Sequence, residues 1–176
     1  MLYTRKGDDG KTQTFGCDQK LSKSSAIAEA LGTLDEINSF LGIIKMKAPD
    51  VILRETIHKI QENLFIIQAE VAGADKMIAE DKILEIEKII DKIEGELPPI
   101  KTFFISGTTE FSAQLDFART LARRAERRVV GVIDEGLVKV SLNTIAYLNR
   151  LSSLLYALAR QSAYKSGLKE TGPSYK

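Results

Sequence analysis

Apolar side chains recur at three- and four-residue steps along five segments of the chain, with polar and charged side chains between them. This spacing places the apolar residues of a segment on one face of an α-helix. The pattern predicts five amphipathic helices, one from Ser24 or Ser25 to Pro49 and four more over about 51–74, 81–94, 109–135 and 141–166.

The residues between these segments are those that start and stop helices. Serine is a good N-cap, while Gly95 with Pro98-Pro99 and the run Asp134-Glu135-Gly136 end helical patterns. Residues 100–107 are apolar, but a single strand would have no partner, so we expect an extended connection there. Five helices with short connections and no strand pattern predict an all-α five-helix bundle. Alanine-rich stripes favour a homo-oligomer.

Composition bounds the class of protein. The chain has 176 residues, of which 44% are hydrophobic and 28% charged, and its net charge of +1 argues against nucleic acid as a partner. We expect a single domain with a loop at 1–23, a bundle at 24–166 and a mobile tail at 167–176. One cysteine and one histidine, His58, exclude a Cys/His zinc site, and His58 is expected on a helix surface. No signal segment or run of about 18 apolar residues is present, which predicts a cytoplasmic protein without membrane contact.

The fourth helix carries a stripe of arginines. Arg119, Arg123 and Arg127 are spaced at i, i+4 and i+8, and Glu126 lies at the edge of the stripe. Like charges at this spacing cost an isolated helix about 0.2–0.5 kcal/mol per pair, so a negative group should lie opposite. That group is either a set of acidic side chains on neighbouring helices or a bound anion, because guanidinium groups suit carboxylates and phosphates alike.

The amino-terminal loop is unusually polar and rich in glycine. Asp8-Asp9-Gly10 is a turn signal, and Gly7, Gly10 and Gly16 interrupt any helix. Such a loop is either simply solvated or wraps a phosphate chain with its backbone N–H groups and hydroxyls. It lacks the spacing of a Walker A loop.

A third feature is Asn149 within the apolar last helix, where a buried amide would need hydrogen-bond partners. It either bonds another helix or belongs to a site. Asp35 and Glu36 are natural counter-charges for any arginine that does not meet phosphate. Together these features indicate a polyphosphate nucleotide, and they specify no reaction.

Four segments resemble motifs of the PduO-type ATP:cob(I)alamin adenosyltransferases, and they occur in the same order as in that family. They are Tyr3-Thr4-Arg5-Lys6-Gly7-Asp8-Asp9-Gly10-Lys11-Thr12, Gly32-Thr33-Leu34-Asp35-Glu36-Ile37-Asn38-Ser39, Arg119 through Arg127, and Tyr147-Leu148-Asn149-Arg150-Leu151-Ser152. The resemblance implies a trimer of five-helix bundles with each active site at a subunit interface. ATP would bind with magnesium between the loop of one subunit and the arginine helix of its neighbour.

The resemblance also implies roles for individual residues. Arg123 and Arg127 would hold the triphosphate, with Arg124 beside them, and Glu126 and Asn149 would contact the nucleotide. Arg119 would pair with Asp35 across the interface. The loop residues expected at ATP are Thr4, Arg5, Lys6, Gly7 and Lys23. No metal ligand is expected from the protein, since the ATP phosphates would hold magnesium, and K⁺ is allowed as a further ion.

On the cobalamin side, Phe103 matches the aromatic that displaces the lower ligand of the corrin, and Tyr175 matches the aromatic of the tail. The Pro-Gly-Gly turn of the family reads Ser106-Gly107-Thr108 here. The implied reaction is attack of cob(I)alamin on the ribose C5′ of ATP, which needs no protein nucleophile or general base. An electron-donating reductase and an adenosylcobalamin-dependent enzyme are expected partners.

Two other classes of function stay open. The protein could be a non-catalytic sensor or carrier of ATP or corrinoid, or a bundle used only for assembly. Residues for both the phosphate and the corrin favour the enzyme over the carrier. A glycine- and threonine-containing loop has no role in a bundle used only for assembly.

Overall fold

Five helices dominate the computed structural model, which describes residues 3, 5–14 and 20–175. The helices are α1 (Ala26–Lys47), α2 (Val51–Val71), α3 (Glu80–Glu96), α4 (Glu110–Asp134) and α5 (Leu142–Lys165). All five predicted helices are confirmed, as is the all-α five-helix class. The largest error in a boundary is at the end of α2, which stops at Val71 rather than near 74.

Side-chain caps explain why most of these helices begin where they do. Ser25, Asp50, Thr109 and Ser141 each accept a hydrogen bond from the backbone N–H three residues later. Such a cap stabilises a helix by about 1 kcal/mol, because it satisfies an N–H group that has no partner inside the helix. Helix α3 begins after Ala79 without a side-chain cap.

Polar contacts between helices give their relative directions. Lys47 contacts Glu110 at one end of α1 and α4, and Glu29 contacts Arg128 at the other end, so the two helices are antiparallel. Contacts of the same kind make α5 antiparallel to α4 and parallel to α3. These polar contacts lie at the edges of helix packing and leave the space between the helices to apolar side chains.

The apolar faces predicted from the sequence meet in one core. Fully buried residues include Leu34 and Leu41 of α1, Ile57 of α2 and Leu115 of α4. Tyr147 is the largest of them, and its hydroxyl accepts a hydrogen bond of 3.0 Å from Asn63 Nδ2. Burial raises the pKa of Tyr147 far above its usual range, so this group holds its proton and acts as a core hydrogen-bonding residue.

The amino-terminal loop contains a small hairpin that the sequence did not predict. Strands β1 (Lys11–Gln13) and β2 (Lys20–Ser22) pair antiparallel, with Thr12 opposite Leu21. The absence of a strand pattern was therefore misleading in this part of the chain. Each strand has only three residues, and alternation of apolar and polar positions cannot be recognised over so short a length. The backbone at Gly10, with φ 76°, turns the chain into β1.

The connection between α3 and α4 is extended, as predicted, and it contains no strand in the described chain. The carboxy-terminal tail runs beside it, and Ile105 N donates to Thr171 O at 2.8 Å. Mobility of this tail stays a prediction. No helix in the described ranges is long and apolar enough to cross a bilayer.

Candidate functional site

Helix α4 carries five arginines, and three of them have acidic partners in the same chain. Arg119 Nε donates to Asp116 one turn earlier. Arg124 forms an ion pair with Glu36 of α1, and Arg128 lies 4.0 Å from Glu29. Acidic partners on a neighbouring helix are thus present for Arg124 and Arg128, whereas the partner of Arg119 belongs to α4 itself.

The other two arginines differ. Arg123 and Arg127 are exposed, and neither has a hydrogen-bond or ion-pair partner among the residues that the structure describes. They are four residues apart, so both guanidinium groups project from the same stripe of α4. These are the two residues that the sequence predicted at the triphosphate, and they are free to bind an anion.

A polar network joins this stripe to α5 and α3. Asn149 Nδ2 donates to Glu126 Oε1 at 3.1 Å, and Arg150 Nη1 donates to Asn149 Oδ1 at 3.0 Å. Arg150 Nε in turn donates to Glu87 Oε1 at 2.8 Å. The structure therefore brings together Glu126 and Asn149, which were both predicted at the nucleotide.

Asn149 itself corrects one prediction. Its side chain was expected to be buried, but it is exposed. Leu148 and Leu151 take the buried positions, and a rotation of about 100° per residue turns Asn149 to the rim between α5 and α4. Its hydrogen bond to Glu126 is between helices and faces solvent, so a ligand can reach it.

The amino-terminal loop is organised around Gly7. Gly7 O accepts hydrogen bonds from Lys23 Nζ at 2.7 Å and from Gly10 N at 3.2 Å. A Cβ at Gly7 would lie 3.0 Å from Lys23 Nζ and 3.1 Å from Lys11 O, so a side chain there would displace its neighbours. Two predicted ATP residues, Gly7 and Lys23, are thus in direct contact.

The remaining loop residues are placed as follows. Arg5 is exposed, has φ 60°, and its guanidinium lies 5.5 Å from the centroid of the Tyr3 ring. Lys6 is also exposed. Thr4 lies outside the described residues.

Asp9 accepts hydrogen bonds from Lys11 N at 3.0 Å and from Lys20 Nζ at 3.2 Å. The bond from the backbone N–H of Lys11 is the main reason why the pKa of Asp9 is lowered.

A pocket of about 420 Å³ lies between the hairpin and the helices, within the size range of small-ligand sites. Thr12, Thr14 and Lys23 line it on the hairpin side, and Ala28 and Leu31 line it on the α1 side. Its lining includes no residue of α4. Within one chain, the loop and the free arginines therefore do not share a pocket.

The predicted partners Asp35 and Arg119 are also not joined within the chain. Asp35 is exposed on α1 and has no partner among the described residues. Arg119 is held by Asp116, and its guanidinium lies 6.0 Å from the centroid of the Tyr156 ring. A contact between Arg119 and Asp35 would need a second subunit.

Both aromatics predicted at the corrin are on the surface. Phe103 is 76% exposed, and Tyr175 is 80% exposed with φ 50°. In the tripeptide Ser106-Gly107-Thr108, the central residue has φ 105°, a conformation that favours glycine. The turn therefore keeps glycine where the backbone requires it, although the flanking residues differ from those of the family.

One group near Phe103 was not predicted. Arg160 of α5 is buried, its Nη2 lies 3.3 Å from Pro98 O and 3.4 Å from Glu170 Oε2, and its guanidinium is 5.0 Å from the Phe104 ring centroid. The signal in the sequence was a charged residue in the otherwise uncharged run 151–163. Beside it, burial raises the pKa of the Tyr156 hydroxyl.

Comparison with known proteins gives consistent results. A family model described as cobalamin adenosyltransferase matches residues 2–162. The corrinoid adenosyltransferase PduO of Citrobacter freundii is 41% identical over 90% of this chain, and the match covers 49% of that relative. The chain thus spans about half the length of the PduO relatives it matches.

Two further similarities cover nearly whole proteins. A second corrinoid adenosyltransferase of Citrobacter freundii is 36% identical over 90% of this chain and 93% of its own length. The structure of a variant PduO-type ATP:corrinoid adenosyltransferase from Lactobacillus reuteri, complexed with cobalamin and ATP, superposes with a TM-score of 0.91. It is 28% identical, and the superposition covers 99% of this chain and 97% of that one.

Proposed function

Since the chain belongs to the cobalamin adenosyltransferase family, we propose that it transfers the 5′-deoxyadenosyl group of ATP to cob(I)alamin. The products are adenosylcobalamin and triphosphate. Two kinds of similarity support this reaction. The relatives are described as corrinoid adenosyltransferases, and a similar structure is complexed with cobalamin and ATP.

The observation that carries the proposal is the division among the arginines of α4. Arg119, Arg124 and Arg128 are paired with carboxylates, whereas Arg123 and Arg127 have no partner in the described chain. Two adjacent free guanidinium groups can grip a polyphosphate through several charge-assisted hydrogen bonds. A helix face built only for ion pairs within the chain would have no reason to leave these two unpaired.

The residues around the stripe have complementary roles in this proposal. Glu126 and Asn149, already hydrogen-bonded to each other, offer a carboxylate and an amide to the adenosine part. Lys23 would exchange Gly7 O for a phosphate oxygen, and Arg5 and Lys6 would add charge from the loop. Thr4 and Arg124 stay predictions at the same nucleotide.

The chemistry requires little acid–base work from the protein. The cobalt electron pair forms a bond to C5′, the C5′–O bond breaks, and its electron pair leaves with the triphosphate. The protein must hold the two reactants in line and stabilise the charge that accumulates on the leaving group. Arg123 and Arg127 serve that second requirement, because fixed cations need no reorganisation as the charge develops.

Magnesium would come with ATP. The described residues contain no group of three or more His, Cys, Asp or Glu side chains that could hold a metal ion. The free arginines fit a magnesium–triphosphate complex, which keeps net negative charge for them to bind. Bound magnesium would neutralise phosphate oxygens of the leaving group. K⁺ has no residue assigned to it.

On the corrin side, the exposed ring of Phe103 would pack beneath the macrocycle and displace its lower ligand. Loss of that ligand makes one-electron reduction of cob(II)alamin easier, so a reductase can supply the electron. Tyr175 would lie on the same side. The active site would be completed by a homotrimer, in which the loop of one subunit faces α4 of the next.

The test is incubation of the protein with ATP, magnesium and chemically reduced cobalamin. We expect the absorbance spectrum of adenosylcobalamin to develop, with one triphosphate released for each cobalamin converted. A reaction without ATP is the control. Binding of both ligands without turnover would support a sensor or carrier instead, and release of phosphate plus pyrophosphate would contradict the proposed leaving group.

A further inference from the structure

The side chain of Phe103 does not fix the segment between α3 and α4 to the bundle. This side chain is 76% exposed, and the residues between α3 and α4 form neither helix nor strand in the structure as described. An aromatic ring that is to displace a ligand must nevertheless be presented in one orientation. Its neighbours along the chain therefore have to fix the backbone.

Arg160 fixes this segment from the side of the bundle. Its side chain is only 8% exposed, and it reaches from α5 to Pro98 O and to the face of Phe104. Phe104 directly follows Phe103, and Pro98 lies where the segment leaves α3. One guanidinium thus contacts the segment on both sides of Phe103.

The tail fixes the same segment from the outside. Thr171 O accepts from Ile105 N at 2.8 Å, and a Cβ at Gly172 would lie only 3.3 Å from Phe103 O. Glu170, just before these residues, bonds Arg160 at 3.4 Å. The carboxylate is therefore the connection between the tail and the bundle.

This arrangement depends on charge pairing in a buried place. A buried guanidinium needs a counter-charge, and Glu170 is the acidic group paired with Arg160 among the described residues. If that carboxylate loses its charge, both the tail and the segment lose their common anchor. The Arg160 Nε atom already lacks a partner, so it offers no compensating bond.

We propose that the pair Arg160–Glu170 is a positioning device that clamps the tail onto segment 98–108 and so holds Phe103 in its working orientation. The clamp is a positioning role, since neither residue is among those proposed at ATP or at the corrin. Its effect on catalysis rests on the proposed adenosyl transfer, while its effect on structure does not.

The test variant is Glu170→Gln, which keeps the shape of the side chain and removes its charge. We expect hydrogen–deuterium exchange to accelerate about tenfold in both 99–108 and 168–175, a factor that corresponds to about 1.4 kcal/mol. Exchange in the core of α1 and α5 should not change. The matched control is Glu96→Gln. Glu96 is an exposed carboxylate at the end of α3, and it accepts a hydrogen bond of 2.8 Å from Gln161, the residue after Arg160 on α5.

Activity provides the second measurement. In Glu170→Gln we expect a slower rate from cob(II)alamin with a reductant, a smaller loss from pre-reduced cob(I)alamin, and an unchanged KM for ATP. Arg160→Lys keeps the charge but loses the fork, and it should show the same split if it folds.

Unchanged exchange in both segments would overturn the clamp, as would acceleration in the tail alone. Accelerated exchange with a normal rate from cob(II)alamin would overturn its positioning of Phe103. If the wild-type protein forms no adenosylcobalamin, the proposed function fails, and the exchange measurement still decides whether the clamp exists.

Discussion

Arg123 and Arg127 lie one helical turn apart, and their guanidinium groups face solvent. Two unpaired cations on a helix surface contribute little to folding, since exposed charges are well solvated. The repulsion between these two charges destabilises the helix by a few tenths of a kcal/mol. A residue pair that does nothing for stability is a good candidate for a role in binding.

We therefore expect Arg123→Lys to keep the fold and to reduce turnover sharply. Lysine keeps the charge but cannot form two parallel bonds to phosphate, and loss of a charge-assisted hydrogen bond of about 1.5–3 kcal/mol lowers the rate roughly 10- to 100-fold. Steady-state kinetics with varied ATP measure the loss. The melting temperature should stay within about 2 °C of the wild type, as for other exposed substitutions.

Arg128→Lys is the matched control for this variant. Arg128 is exposed on the same helix, next to Arg127, and its partner Glu29 is 4.0 Å away. Its substitution should leave both turnover and melting temperature nearly unchanged. Equal losses in the two variants would mean that the effect is not specific to the fork of Arg123, and normal turnover in Arg123→Lys would mean that positive charge alone is sufficient there.

At the residue scale, the sequence predicted types of side chain better than their surroundings. It predicted Glu126 and Asn149 at one site, and the structure brings Glu126 Oε1 and Asn149 Nδ2 to 3.1 Å, although the exposure of Asn149 was predicted wrongly. It could not divide the arginines into paired and free ones. The pairing of Arg124 and Arg128 depends on Glu36 and Glu29, which are 88 and 99 residues away along the chain and come close only through packing of α1 on α4.

Among the secondary-structure elements, the hairpin loop depends most on one residue without a side chain. Gly7→Ala would put a methyl group 3.0 Å from Lys23 Nζ and 3.1 Å from Lys11 O. The lysine can move away, but the backbone carbonyl of β1 cannot move without disturbing the hairpin. We expect ATP to bind about tenfold more weakly, as judged by calorimetric titration, with unchanged helical circular dichroism.

Gly95→Ala is the control for the glycine substitution. Gly95 is exposed near the end of α3, and an added Cβ meets no atom within 4 Å. Alanine should stabilise the helix by about 0.5–1 kcal/mol and leave ATP binding unchanged. A normal ATP affinity in Gly7→Ala would show that the contact with Lys23 is not part of the binding site.

The start of α5 depends on a carboxylate from another helix. Glu70 of α2 is buried, and it accepts from Ser141 N at 2.7 Å and from the hydroxyl of Thr144. Its negative charge also suits the positive end of the helix dipole. The side chain thus anchors the helix that carries Asn149 and Arg160.

Glu70→Gln should therefore destabilise the protein by about 2–3 kcal/mol, because the charge is lost and the amide NH2 replaces one of the two accepting oxygens, where it faces a donor. Urea denaturation monitored by circular dichroism measures the change. Glu62→Gln is the control on the same helix, since Glu62 is exposed and lies 3.6 Å from His58 Nε2. It should stay within about 0.5 kcal/mol of the wild type. Similar midpoints for the two variants would contradict the anchoring role.

At the scale of secondary structure, local sequence patterns predicted the helices. They missed the features that depend on contacts between distant parts of the chain. Caps such as Ser25 and Thr109 are visible in the sequence, and so the helix starts were nearly right. The hairpin is defined by the pairing of β1 with β2. The contact of the tail with Ile105 requires α5 to bring the tail back to the segment after α3. Neither feature leaves a periodic signal.

At the scale of the whole molecule, one chain holds the parts of the nucleotide site separately. The pocket beside the hairpin is lined by residues of the loop and α1 and by Ala72, which follows α2, and it includes no arginine of α4. Asp35 is likewise exposed on α1, and it has no partner among the described residues. Both facts fit a site that is completed by another subunit, and the resemblance to the family implies that the assembly is a trimer.

Asp35→Asn tests that assembly, because the proposed partner Arg119 belongs to the neighbouring subunit. We expect a weaker trimer, which dissociates at a higher protein concentration than the wild type in sedimentation velocity. The apparent affinity for ATP should fall, and the fold of the monomer should not change. Glu36→Gln is the matched control: Glu36 is the next residue on α1, but its ion pair with Arg124 lies within the chain, so trimer assembly should not change. A wild-type monomer at all concentrations, or the same dissociation in both variants, would contradict the pairing.

Arg119 would also have to contact Asp35 while it is bonded to Asp116. Asp116→Asn should therefore free Arg119 from its own helix and leave the trimer at least as stable as in the wild type.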